Sequence, residues 1–286
     1  MVLLGLLWTT GCSISAKSAG GQRVVSSGRD AREIYQHGQL MIRRGAFEKA
    51  QSDFQELRNF HRDDPLSVRA QLALADIHFR RGELEEARYA YQEFAQYYPR
   101  HEAMDLVTWR IGQCIWKRAP KLAGRDQTPT LSAVRAWTGG GSLGGGYNWT
   151  GFEQRYPESE YREDVDRLLA RARNRLAGRE LFVADFYEGR RAWAAVSGRA
   201  DEILRLYPGS RYDERAMSML ARSLHAIGSV QEALAVRERL AESYPDSRHL
   251  KAVDKALAEE PGRPPEEEIF VRPYRMPGLG EAQPQR

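Results

Sequence analysis

Catalysis and metal binding need reactive side chains held within reach of one another, so the scarce residue types come first. The chain has six histidines, His37, His61, His78, His101, His225 and His249, and two cysteines, Cys12 and Cys114. No two of these stand at the spacing that sets paired ligands on one helical turn, so neither a metal site nor a disulfide framework is expected. Glycines recur from Gly139 to Gly146, but no Lys-Ser/Thr follows them, which excludes a phosphate-binding loop. Glu85-Glu86 and Glu158/Glu160 fall at helix starts, where acids suit the helix dipole. Asp126 sits in a loop and reads as a cap or turn residue, since Asp bonds readily to nearby backbone. Cys114 lies among Trp109, Ile111, Ile115 and Trp116 and reads as an inert core thiol. These residues give no catalytic constellation and call for no cofactor, so a non-enzyme is expected.

The remaining cysteine has a different setting. Met1 to Trp8 is an uncharged apolar run, followed by Thr9-Thr10-Gly11-Cys12. Such a run ending in small residues marks a secretory signal, and it is far shorter than the ~20 residues that span a bilayer. The small residues leading into Cys12 resemble the lipobox of bacterial lipoproteins, in which the cysteine is lipidated and becomes the first mature residue. This start departs from that pattern in lacking a basic segment and in having Thr9 where Leu is usual. The missing basic segment is read as a true start upstream of Met1. Ser13 after the cysteine implies sorting to the outer membrane. The expectation is a signal peptide over 1–11, lipidation at Cys12 and a flexible Ser/Gly-rich tether over 12–29.

The full chain of 286 residues has 43 basic and 39 acidic residues and a net charge of +4. The two signs interleave rather than cluster, which argues for solvated helix faces and against nucleic-acid binding. A repeat then fixes the fold class. Gly38, Gly45, Ala50, Phe54 and Leu57 share their offsets with Ala75, Gly82, Ala87, Tyr91 and Phe94, and with Ala221, Gly228, Ala233, Arg237 and Leu240. Small residues let two antiparallel helices approach, the central Gly permits the turn, and the larger residues fill the space beyond. Arg237 breaks the aromatic position, as a terminal repeat with a solvated face can. Second helices end at Tyr98-Pro99, Tyr156-Pro157, Tyr207-Pro208 and Tyr244-Pro245, because proline cannot continue them. The pattern resembles the tetratricopeptide repeat, a helix pair of ~34 residues. The expected fold is all-α, an α-solenoid of about five such pairs.

N-terminal repeats are expected over 30–157, C-terminal repeats over 158–250 and a Pro-rich tail without fixed structure over 251–286. A Gly-rich insertion over 138–151 interrupts the third pair, since each Gly costs a helix ~1 kcal/mol relative to Ala.

Several residues lie outside the repeat pattern. In order they are His101 and Asp105, Arg125-Asp126-Gln127-Thr128-Pro129, Arg155-Tyr156-Pro157-Glu158-Ser159-Glu160-Tyr161, Arg175-Leu176-Ala177 with Glu180, and Ala192-Trp193-Ala194-Ala195. Together they resemble the BamD family, lipoproteins of the outer-membrane protein assembly machinery, from about Tyr35 to Ser247. The resemblance implies a scaffold and substrate receptor on the periplasmic face of the outer membrane. Its implied partners are a BamA-like barrel-assembly protein, unfolded outer-membrane proteins and further accessory lipoproteins. It also implies that an arginine after the Ala-Trp motif, here Arg199, gives an ion pair to docking. The Gly-rich insertion departs from the family pattern.

Aromatic residues crowd the first three repeats, and most occupy helix-packing positions. Tyr35, Tyr89 and Tyr97 are the candidates left for substrate contact. Another envelope repeat lipoprotein, serving pilus assembly or a Tol-Pal/peptidoglycan link, is the alternative reading. A cell-wall enzyme would need a catalytic domain for which the loops and tail are too short.

Overall fold

A computed structural model describes residues 28–139 and 151–262. The expected signal segment, Cys12, most of the tether, residues 140–150 of the insertion and residues 263–286 lie outside the described residues. Among the described residues there are twelve α-helices and no strand, in keeping with the all-α array of tetratricopeptide-like pairs.

Two compact units divide after Ala70. The first holds α1 (Ala31–Arg43), α2 (Phe47–Phe60) and the opening of α3 (Pro65–Arg81). Gly45 makes the α1–α2 turn with φ +73°, a conformation that L side chains rarely adopt. Gly38 meets the Phe54 ring so closely that a Cβ there would stand 2.8 Å from it. Ile34, Phe54 and Leu57 are fully buried, each contributing about 1.5–3 kcal/mol by leaving water. Arg29, the last residue of the expected tether, pairs with Asp53 at 3.3 Å and also with Glu56.

The second unit begins within α3 and continues as α4 (Leu84–Tyr97), α5 (Met104–Arg118), α6 (Thr128–Thr138), α7 (Phe152–Arg155), α8 (Arg162–Glu188), α9 (Trp193–Leu206), α10 (Asp213–Ala226), α11 (Val230–Ser243) and α12 (Leu250–Leu257). Here α4 packs on α5, α5 on α6, α6 on α8, and then each of α8, α9 and α10 on the next. Gly82 and Gly228 turn with φ of +78° and +83°, as their repeat positions require. Tyr98, Tyr156, Tyr207 and Tyr244 each close a helix, donating their backbone N–H to the carbonyls of Phe94, Phe152, Ile203 and Leu240. The proline after each blocks further helix.

The repeat is more complete than the sequence pattern showed. Ala184, Val196, Ala200 and Ile203 are fully buried at the repeat's offsets around Arg191, which turns with φ +57° where other pairs use Gly. In the third pair Gly112 lies against Trp137, and a Cβ there would overlap the indole outright. This close approach lets Trp137 Nε1 donate to the Trp109 carbonyl at 3.4 Å. With residues 139–150 left out, Phe152 follows Trp137 at the three-residue offset that joins Tyr91 to Phe94. Phe152 and Trp137 share one core cluster, so α7 supplies what the interrupted α6 lacks.

One boundary moves. The tail expected from residue 251 begins later, because Leu250–Leu257 forms α12 and buries Val253 completely. Arg237, read as lying on a solvated face, is 38% exposed and pairs there through Nε with Asp254 of α12 at 2.8 Å. No helix among the described residues is long and apolar enough to cross a membrane.

Candidate protein-interaction surfaces

Arg199 stands in the middle of α9, on the side facing α8. Its Nη1 donates to Glu180 Oε2 at 2.9 Å and to Glu202 Oε2 at 2.7 Å. Glu180, on α8, is only 8% exposed, and its other oxygen accepts from Arg179 Nη1 at 2.8 Å. A carboxylate at that depth requires charged partners, since an unpaired buried charge is far costlier than a paired one. The side chain of Arg199 is 38% exposed and its Nη2 and Nε have no partner among the described residues. The flanking carboxylates hold the guanidinium firmly in its charged form, more than offsetting the opposing effect of burial. Tyr187, Ala195, Gly198, Asp201 and Arg205 complete a shallow depression around it. The geometry gives a positioned fork of donors at the surface, suited to a planar carboxylate.

Tyr89 and Tyr97 lie on α4, eight residues and so about 12 Å apart on one face of the helix. They are 63% and 64% exposed, among the most exposed large hydrophobic residues described. The Arg88 guanidinium covers the Tyr89 ring at 4.5 Å, while Tyr97 rests beside Tyr98 with ring centres 6.5 Å apart. Tyr35, in the first unit, is half-buried against Phe54 and its hydroxyl accepts from Gln39. Of the three tyrosines, the second unit therefore brings two to one helix face, and the third is partly a packing residue. Cys12 lies outside the described residues.

Several of the remaining off-repeat residues support loops and turns. Asp126 Oδ1 accepts from the Thr128 N–H at 3.0 Å and its hydroxyl at 2.8 Å, which holds the carboxyl below the usual range and caps α6. Gln127 is buried and donates from Nε2 to the carbonyls of Pro120, Leu122 and Arg125, stitching the loop before α6. Arg175 donates to the Ala119 and Pro120 carbonyls, both at 3.3 Å, from the other side. Ser159 Oγ donates to Asp105 Oδ2 at 2.7 Å, tying the turn after α7 to the start of α5. Burial pushes the Cys114 thiol up to about 12, so it is inert at neutral pH. Glu180, named in the sequence only beside Arg175-Leu176-Ala177, proves to be the carboxylate that holds Arg199. Its signal was an acid at a position where the helix faces the core.

Known proteins resemble this chain in sequence along most of its helical array. A curated relative from Xylella fastidiosa strain 9a5c, "Outer membrane protein assembly factor BamD", is 25% identical over 262 residues, covering 88% of this chain and 83% of its own. Proteins of the same description from Neisseria meningitidis Z2491 and Vibrio cholerae El Tor N16961 are 26% and 24% identical, over 63% and 68% of this chain and 67% and 80% of their own. The outer membrane lipoprotein family YfiO matches residues 28–240, from ahead of α1 into α11 and through both candidate surfaces. The chain belongs to the YfiO family of outer membrane lipoproteins.

Proposed function

We propose that the protein is a non-catalytic assembly factor for outer-membrane β-barrel proteins. The observation that carries this reading is the run of relatives named as outer membrane protein assembly factors across nearly the whole helical array. In this reading a lipid on Cys12 holds the protein to the periplasmic face of the outer membrane. Arg199 docks a BamA-like barrel-assembly protein through a carboxylate of that partner, using the donors that the described residues leave unpaired. Tyr89 and Tyr97, with Tyr35, receive unfolded outer-membrane proteins. Exposed tyrosines suit this role because they offer large amphipathic area at low conformational cost.

Purification of the tagged protein from native membranes in mild detergent tests the reading. The expected companion is a large barrel protein with periplasmic repeat domains, lost on Arg199→Glu. Recovery with pilus or peptidoglycan components and no barrel protein would overturn it in favour of another envelope adaptor.

A further inference from the structure

Several arginines of the second unit are paired with carboxylates across helices: Arg215 with Asp185, Arg222 with Glu188 and Arg237 with Asp254 are examples. One cavity gathers cations without such partners. Between α8, the loop after α5 and the loop before α10, Lys121, Arg171, Arg175 and Arg211 line a recess of about 280 Å3, and no acidic residue lines it. The guanidiniums there rest on neutral groups. Arg175 stacks on the Trp116 indole at 3.7 Å and Arg171 lies over the same ring at 6.0 Å. Arg211 donates to the Tyr212 hydroxyl at 2.5 Å, and its backbone N–H donates to Asn174 Oδ1 at 2.8 Å.

These contacts fix Arg175 and Arg211 in place without neutralising them. Asn174 ties the Arg211 loop to α8, and the two carbonyls that accept from Arg175 belong to the loop stitched by Gln127. Two of the four cations are therefore held before any ligand arrives, which lowers the ordering cost of binding. Burial and the neighbouring Arg171 both disfavour the charge on Arg175, as expected where like charges gather without a counter-ion.

We propose that this recess binds a phosphate group. Charge matching selects phosphate over a carboxylate: four cations face the cavity, and one carboxylate would leave most of that charge uncompensated. A phosphate brings up to two negative charges and several strong acceptor oxygens for planar guanidinium forks. The size of the recess admits one oxyanion with a small substituent, and its indole and tyrosine walls suit an organic substituent. Free phosphoesters and the headgroups of anionic lipids present the same chemistry.

The test uses the full chain carrying Cys12→Ser, so that no acyl chain contributes. Pyrophosphate binding is measured by calorimetry, and sedimentation is measured with phosphatidylcholine vesicles with and without phosphatidylglycerol. Arg171→Glu and Lys121→Glu, both at exposed positions, are each expected to weaken pyrophosphate binding by about tenfold or more. Arg173→Glu, an exposed charge on the same helix outside the recess, is expected to change it by less than about twofold. Sedimentation with anionic vesicles that Arg171→Glu abolishes assigns the phosphate to a lipid headgroup. Pyrophosphate binding without vesicle binding assigns it to a free phosphoester. Absence of pyrophosphate binding at millimolar concentration, equal competition by acetate, or equal loss in all three variants overturns the proposal.

Discussion

Loss of partner binding on Arg199 substitution has two causes that the structure separates: a missing docking charge, or a disturbed α8–α9 junction. Removing one member of a buried ion pair costs about 3–5 kcal/mol when the remaining charge has no other partner. Glu180 keeps Arg179 at 2.8 Å, and the Arg199 side chain is already 38% exposed, so water can replace part of what is lost. The cost of Arg199→Met should therefore fall to about 1–2 kcal/mol. The Met side chain retains the apolar stem. In Glu180→Gln/Arg199→Met both charges leave together, and stability should return to within about 1 kcal/mol of the parent. Urea unfolding followed by circular dichroism gives these differences, and barrel-partner recovery from detergent extracts is scored on the same variants. If Arg199 docks the partner, the double variant is stable and still fails to recover it. A double variant that regains both stability and partner would refute the docking role and leave Arg199 as a support for Glu180.

Helical glycines provide a graded set. Gly198→Ala in α9 has open space around it and should stabilise by about 1 kcal/mol, Gly38→Ala should destabilise by about 1–2 kcal/mol against Phe54, and Gly112→Ala should cost about 3 kcal/mol or more against Trp137. Urea midpoints with tryptophan fluorescence check the order, and a neutral Gly112→Ala would contradict the packing described. Arg191→Gly should raise stability by about 0.5–1 kcal/mol, the relief of a left-handed non-glycine exceeding the entropy that Gly returns to the unfolded chain, and thermal unfolding reads it. Burial holds the Asp76 carboxyl above the ordinary range despite the hydrogen bond it accepts from Tyr91 at 2.5 Å. The folded chain then retains a proton that the unfolded chain has released, so this group's contribution falls as pH rises from about pH 4 through the raised value. Asp76→Asn should flatten that part of the stability profile, and an unchanged slope in urea midpoints would assign it elsewhere.

The repeats were legible where each position kept its residue type, because small-against-large packing and left-handed turns admit few alternatives. They were missed where one position departed. Arg191 occupies a left-handed turn without the glycine that announces it, and the surrounding burial of Ala184, Val196, Ala200 and Ile203 compensates for the strain. The third pair is irregular in sequence because its small residue is Gly112, its turn became the loop held by Gln127, and its last packing residue, Phe152, lies beyond the insertion. Sequence offsets count residues, whereas packing counts positions in space. The same limit concealed α12, which has one fully buried residue and gains its place partly from the Arg237–Asp254 pair with α11.

Residues outside the repeat pose a harder problem, since polar residues that support the fold and those that serve a partner look alike in sequence. Hydrogen-bond satisfaction distinguishes them. Gln127 and Asp126 direct their side chains to backbone or neighbouring hydroxyls, and Ser159 to Asp105, so substitution there should first disturb the loop or turn each one holds. Arg199 secures Glu180 with one nitrogen and leaves two at the surface, while Tyr89 and Tyr97 expose most of their rings. The basic recess combines both conditions: Arg175 supports the loop through Ala119 and Pro120, yet the charge it shares with Lys121, Arg171 and Arg211 has no counterpart in the lining. A positioned group with spare donors or an uncompensated charge is ordered at the fold's expense and fully used only when something else binds. By that criterion the Arg199 junction and the recess are separate sites, and Arg199→Glu should leave pyrophosphate binding intact while Arg171→Glu leaves the barrel partner bound.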